Sequence, residues 1–203
     1  GHMYYYGNKV EQSFKEAFKW YKRAATQGSY TCQYNLGSMF YNGEGTEIDY
    51  EESFKWYKLS ANQGFSFAQF WVGNAYFYGY GTEKNIEEAI SFWKRSARQD
   101  YLHSVFNLGL IYSGGIGVPK DIIEAISWFK QGADLGSIQC ISALGALYYF
   151  PQDEIKQDYS KAFKYIQRAA EKGLPNAQHL LSSFYRNGYY VRADINEYLN
   201  WTL

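Results

Sequence analysis

Apolar positions in this chain recur at helical spacing and, beyond that, at a much longer one. Between Ser29 and Gly64, the residues Cys32, Leu36, Gly37 and Phe40 fall on one stripe of an amphipathic helix. Small residues at 32 and 37 admit a second helix at close range, while Leu36 and Phe40 fill the space around them. Gly43-Glu44-Gly45 then halts the helix, because glycine takes left-handed backbone angles at little steric cost. A short loop leads to Asp49, with Glu52 three residues on. That is a capping-box pattern: the first side chain receives amides of the helix start and the acid reaches back. The helix so opened carries Phe54, Trp56, Tyr57 and Ala61 and stops at Gly64. The pattern predicts two short antiparallel helices in 36 residues.

The same cassette returns along almost the whole chain. Gly37, Gly73, Gly109 and Gly145 stand 36 residues apart, as do Tyr76, Tyr112 and Tyr148, and Trp20, Trp56, Phe92 and Trp128. One extra residue between Phe150 and Asp158 shifts the phase, which resumes at Tyr165, Asp194 and Trp201. The cap pairs recur as Ser13/Glu16, Asn85/Glu88, Asp121/Glu124 and Asp194/Glu197, with Asp158/Lys161 as the exception. A period of this length marks a solenoid, in which each unit depends on its neighbours for part of its core. The expected fold is all-α, a right-handed α/α superhelical solenoid of 36-residue helix-turn-helix repeats. Residues 1–3 read as a cloning scar, 4–28 as a partial unit, 29–64, 65–100, 101–136 and 137–173 as complete repeats, and 174–203 as a second partial unit. In the fourth repeat Tyr149-Phe150-Pro151-Gln152-Asp153 replaces the glycine pair. Its first helix should end by Phe150, and its loop should take a different path.

Composition alters this picture in one respect. Twenty basic and twenty acidic residues cancel, which disfavours a protein built to grip nucleic acid. Aromatic content is 21 %, with 22 Tyr, 14 Phe and 6 Trp, more than the helical framework consumes. No stretch approaches the roughly 18 consecutive apolar residues of a membrane span. Cys32 and Cys140 hold the same repeat position three repeats apart. At about 10 Å per repeat that separation is about 30 Å, and a disulfide requires Cα atoms within about 7 Å. Ala68, Ser104 and Ala177 hold the position elsewhere, so it reads as a small buried side chain.

Several short motifs imitate chemistry. Gly79-Tyr80-Gly81 and its equivalents follow helices rather than strands, so they read as turns and not phosphate loops. Ser91-Phe92-Trp93-Lys94 and Ser127-Trp128-Phe129-Lys130 match a Ser-x-x-Lys pattern, without the accompanying motifs of the enzymes that use it. His103 and His179 lie in separate repeats with no cysteine or acidic cluster nearby, so neither a metal nor a cofactor is expected. Nothing assembles a nucleophile, a base and an oxyanion donor, and the chain reads as a non-enzyme.

Ala68-Gln69-Phe70-Trp71-Val72-Gly73, Tyr76, Gly79-Tyr80-Gly81, Asn85, Ala89, Trp93 and Ala97 resemble the Sel1-like repeat, a relative of the tetratricopeptide repeat. Leu108-Gly109, Tyr112, Gly115-Ile116-Gly117-Val118-Pro119-Lys120-Asp121, Ala125 and Trp128-Phe129-Lys130 match the same pattern. The resemblance spans residues 4–203. It implies bacterial adaptor roles in signalling, virulence or toxin immunity, and points toward the periplasm or secretion. The paired cysteines of the family's secreted branch are missing, so the disulfides and penicillin binding of that branch do not carry over.

In tetratricopeptide-like solenoids the first helices line a concave groove, so the resemblance turns a second stripe of the first helix toward it. That stripe supplies the candidate partner-binding residues Tyr34, Tyr41, Phe67, Phe70, Phe77, Tyr78, His103 and Phe106. Rings dominate repeats one to three, whereas the fifth repeat offers Asn176, His179, Ser183, Arg186 and Asn187. Exposed aromatic side chains give large contact area at small entropic cost. The expected function is therefore a scaffold that docks a protein or peptide in an aromatic groove. A small-molecule or cell-wall-fragment binder or hydrolase, and a structural spacer within a longer array, are the alternatives. Tyr198, Leu199 and Trp201 near the end of the sequence suggest end-to-end self-association.

Overall fold

The computed structural model describes residues 1–153 and 155–202. Among these residues there are twelve α-helices and no strand. They are α1 (His2–Tyr6), α2 (Phe14–Thr26), α3 (Tyr30–Asn42), α4 (Tyr50–Asn62), α5 (Ser66–Tyr78), α6 (Ile86–Ala97), α7 (Leu102–Gly114), α8 (Ile122–Asp134), α9 (Ile138–Tyr149), α10 (Tyr159–Ala170), α11 (Pro175–Asn187) and α12 (Ile195–Asn200). They fall into two compact units, Gly1–Ser104 and Val105–Leu203. Glu154, in the stretch between Phe150 and Asp158 that carries the extra residue, and Leu203 lie outside the described residues.

Each repeat is built on one contact. A glycine in the middle of the first helix receives the large side chain of the second. A Cβ added to Gly73 would stand 2.5 Å from Cδ1 and Nε1 of Trp93, and one on Gly37 would stand 2.8 Å from Cδ1 of Tyr57. Gly109 meets Phe129 in the same way in the C-terminal unit, and Gly145 meets Ile166. Gly1 abuts Tyr21 identically, and His2 and Met3 belong to α1, so residues that read as a cloning scar take up the pattern of the repeat. The expected core stripe is right at Leu36 and Gly37, but Gln33 and Met39 are buried beside them while Cys32 and Phe40 are half-buried. Cys140 is buried, and both cysteines are free thiols.

Buried Gln33 is not an orphan polar group. Its amide donates to the Ala25 carbonyl at 3.2 Å, and its Oε1 accepts from Gln63 Nε2 at 2.7 Å. One repeat later Gln69 donates to Ala61 O and accepts from Gln99 at 2.9 Å. Each pair satisfies a helix-end carbonyl and ties one repeat to the next. In the C-terminal unit the equivalent positions are the buried, apolar Val105 and Ile141, and the bond returns at Gln178, which donates to Ala170 O.

All six expected N-caps are made. Ser13, Asp49, Asn85, Asp121, Asp158 and Asp194 each accept an amide from the first turn of the following helix. The return arm of the capping box is replaced, however. The cap residue's own N–H donates to a carbonyl of the preceding helix: Asp49 to Phe40, Asn85 to Tyr76 and Asp121 to Tyr112, each at 2.9 Å. The freed acids pair along their own helix, Glu16 with Lys19 at 2.6 Å and Glu52 with Lys55 at 2.7 Å. The cap-to-helix bond closes every inter-helix loop nine residues back, except in the fourth repeat, where Asp158 N–H reaches Tyr148 O across ten. That loop has no left-handed C-cap. Phe150 is extended, with φ −88° and ψ 141°, as its proline neighbour requires.

The second glycine of the loop serves the junction between repeats. Gly45 is left-handed at φ 73°, and a Cβ added to it would overlap the Phe14 carbonyl, as one on Gly81 would overlap the Tyr50 carbonyl. Any side chain there would overlap main-chain atoms, which cannot move aside.

Replacing Gly73 with Leu should destabilise the protein by about 1–3 kcal/mol or more, because the Trp93 ring occupies the space in a buried site. Chemical denaturation midpoints of the wild type and Gly73→Leu check this; an unchanged midpoint contradicts the packing described.

Candidate functional site

The second stripe of the first helices divides into residues that serve the fold and residues that face outward. The position after the core glycine serves the fold. Ser38 Oγ lies 3.0 Å from Tyr57 OH, and Asn74 Oδ1 accepts from Trp93 Nε1 at 3.1 Å. The ring buried against the glycine thus has its polar tip satisfied by the next residue along. Where that ring is Phe129, with no polar tip, the position is Leu110.

The candidate residues of the N-terminal unit belong to one connected set of rings. Tyr34 contacts Phe65 at 5.3 Å and Phe67 at 6.2 Å; Phe67 contacts Tyr101 at 4.8 Å. Tyr101 in turn meets Phe70 at 5.2 Å and His103 at 5.2 Å. Phe67 is 43 % exposed, Tyr34, Phe70 and Tyr101 are half-buried, and His103 is exposed. Together they form an aromatic face at the amino-terminal ends of α3, α5 and α7.

Tyr41 and Tyr78 stand at the other end of the same helices. Tyr41 touches Trp71 at 5.2 Å and Tyr50 at 5.3 Å, and Tyr80 lies stacked between Tyr50 and Tyr78 at 5.3 and 5.4 Å. Trp71 joins the two groups through Phe70 at 5.7 Å. Phe77 is half-buried against Trp93 at 5.4 Å, so much of its ring supports the helix pair. The crevice enclosed by Tyr41, Tyr57, Trp71 and Tyr80 holds only about 10 Å³, too little for more than about one water molecule.

Phe106 belongs to the C-terminal unit. It packs on Phe129 at 5.9 Å and lines an open groove of about 570 Å³ with Ala146, Phe150, Leu174 and Leu180, Ser142 and His179 supplying polar atoms. Tyr149 turns instead toward Phe184 and Tyr159, at 5.2 and 5.7 Å.

Sequence reasoning missed Phe65, Tyr101, Tyr50, Tyr80 and Trp71, which link the candidate rings. Phe65 and Tyr101 sit one period apart at the entry to a first helix, where other repeats have Ser29 and Ser137. That repetition was the available signal. Among the described residues no group of three His, Cys, Asp or Glu side chains is placed to hold a metal ion, and no helix is long and apolar enough to cross a membrane.

Burial raises the phenols of this framework. Tyr21 is pushed up to about 12, and Tyr57, Tyr41 and Tyr101 rise above the ordinary value of 10.0 for the same reason. Below pH 10 these groups are neutral in both folded and unfolded chains. Above it the unfolded chain loses its protons first, so stability should fall from about pH 10 upward, by at most about 1.4 kcal/mol per pH unit for each buried tyrosine. Following tyrosinate absorbance and helicity together through an alkaline titration tests this; ionisation of all tyrosines near pH 10 without loss of helix contradicts it.

Asn74 reads from the sequence as a groove residue of little structural weight. With its Oδ1 bound to the buried indole, Asn74→Ala should instead cost about 1–2 kcal/mol in thermal or denaturant melts.

Repeated helix pairs of this construction define a Sel1-type solenoid. The Sel1 repeat family matches residues 1–29, 31–65, 66–101, 102–137, 138–174 and 175–197, and the chain belongs to that family. A protective antigen present in uropathogenic Escherichia coli strains, displaying the same fold, superposes with a TM-score of 0.93 at 32 % identity; the match covers 98 % of this chain and 42 % of that one. The chain therefore spans less than half the length of that relative. A Sel1 repeat protein from Oxalobacter formigenes gives a TM-score of 0.84 at 35 % identity over 99 % of this chain and 82 % of its own. An immunity protein from Pseudomonas aeruginosa shares the fold, with a TM-score of 0.54 at 18 % identity over 95 % of this chain and 74 % of that one. A comparison with curated proteins returns no match. Sel1 repeat proteins are generally protein–protein interaction scaffolds.

Proposed function

We propose that this chain is an interaction scaffold whose first-helix face docks a peptide segment of a protein partner, with Tyr34, Phe67, Phe70, Tyr101 and His103 as the principal contacts. Phe106 and its groove offer a second contact in the C-terminal unit. The observation that carries this reading is a set of interlocked rings kept partly in water although each has neighbours to hide against. Rings braced in this way lose little freedom when a partner covers them, which is the property of interface hot spots. An enclosed small-molecule site is disfavoured between Tyr41, Tyr57, Trp71 and Tyr80, where the crevice holds about 10 Å³. A spacer role leaves the exposed aromatics without a purpose.

Selection of random peptides displayed on phage tests the proposal. Peptides selected on the wild type should bind the Phe67→Ala/Phe70→Ala/Tyr101→Ala variant at least about tenfold more weakly, since loss of even one hot-spot ring at about 2 kcal/mol exceeds that factor. Thermal melts establish that the variant is folded. Selected peptides that bind wild type and variant equally overturn the assignment of this face.

A further inference from the structure

The C-terminal unit carries a recess that the first-helix face does not use. Ile123, Ile126 and Lys130 of α8, Tyr148 of α9 and the segment 155–161 surround about 890 Å³ open to solvent. It stands where the fourth repeat departs from the pattern of the others, beside the one loop that closes over ten residues and lacks the glycine pair. The floor is apolar: Ile126 and Tyr148 are buried, Ile155 and Tyr159 half-buried, and Ile123 is 59 % exposed. The rim is cationic. Lys130, Lys156 and Lys161 line the recess against one carboxylate, Asp158. That carboxylate is already engaged, accepting the Lys161 amide at 3.0 Å and pairing with its Nζ at 3.0 Å. Lys161 is also held over the Tyr148 ring, 5.2 Å from its centroid. The Ser127–Lys130 match noted in the sequence falls here, and Lys130 contributes charge to the rim.

A loop-edge recess in the N-terminal unit has the opposite sign, lined by Asp49, Glu51 and Glu83. Of the rim lysines, Lys130 recurs as Lys22, Lys58 and Lys94, whereas Lys156 and Lys161 stand where the preceding repeats have Pro119 or Glu83 and Glu124 or Glu88; the charge peculiar to the fourth repeat is theirs.

We propose that this recess docks an acidic peptide segment of a protein partner, seating one or two apolar side chains on Ile123, Ile155 and Tyr159 while flanking carboxylates meet Lys130 and Lys156, with Lys161 and Asp158 paired beside them. The floor selects an apolar anchor and the rim selects acids on either side of it. Nucleic acid and anionic membranes call for an extended basic face, whereas this chain has a formal net charge of zero and the lysines ring a single recess.

Fluorescence anisotropy with three labelled hexapeptides tests the proposal: Glu-Glu-Leu-Phe-Glu-Glu, Lys-Lys-Leu-Phe-Lys-Lys and Glu-Glu-Ser-Ser-Glu-Glu. The first should bind, more weakly as salt rises, and the other two at least about tenfold less well. Lys130→Glu with Lys156→Glu should weaken the first peptide by about tenfold or more, and Ile123→Ser should weaken it too. All three positions are exposed, so the variants should fold, and melts confirm it. Phe67→Ala/Phe70→Ala should leave this binding unchanged, which separates the recess from the aromatic face. The proposal is overturned by equal binding of acidic and basic peptides, by indifference to charge reversal, or by no binding at millimolar peptide. Tighter association with phosphatidylserine vesicles than with the acidic peptide overturns it as well.

Discussion

Everything in this molecule hangs on a large side chain lying against a glycine. Gly37, Gly73, Gly109 and Gly145 have no Cβ to hold the second helix away, and Tyr57, Trp93, Phe129 and Ile166 occupy the space this leaves. A helix glycine costs about 1 kcal/mol in propensity. The close approach returns that cost by burying a whole ring, and it also determines chemistry two or three ångströms away. A ring with a polar tip needs a partner, and Ser38 and Asn74 supply it from the following position. Residues that look available for binding are thereby committed to the core, and only rings farther along the stripe remain on the surface.

The inter-helix loops repeat this economy. One cap residue uses its side chain to receive an amide of the next helix and its own N–H to reach the previous one. Two helices and the loop between them are fixed by a single Asp or Asn. Because the closure depends on the cap and not on the loop's length, the fourth repeat absorbs an extra residue without losing its second helix. The changed loop borders a recess of different charge from the loop edge of the N-terminal unit, so a one-residue insertion accompanies a local change in chemistry.

The repeat, the helix pairs and the six caps could be read directly from residue spacing, since each follows from local rules of stereochemistry and burial. What spacing could not show was which atom an amide chooses. The return arm from Glu52 is a reasonable inference from local sequence, yet Asp49 N–H finds Phe40 O first, through a contact set by the loop's closure. Similarly, Tyr41, Phe67 and Phe77 share a stripe on paper. Only in three dimensions does Phe77 turn to Trp93 while Phe67 stays outward beside Tyr101. Phe65 and Tyr101 escaped because they lie at helix entries, outside the periodic face that directs attention to Phe70 and His103.

The buried glutamines have a mechanical consequence. In the N-terminal unit Gln33 and Gln69 bond back to the helix end of the preceding repeat, at Ala25 and Ala61, by directional contacts that weaken sharply when either partner shifts or tilts. Val105 and Ile141 hold the equivalent places in the C-terminal unit, and apolar contact has no preferred direction and tolerates sliding. A directional tie to the preceding repeat is thus present at Gln33, Gln69 and Gln178 and replaced by non-directional packing at Val105 and Ile141, so the repeats of one chain are not all joined in the same way.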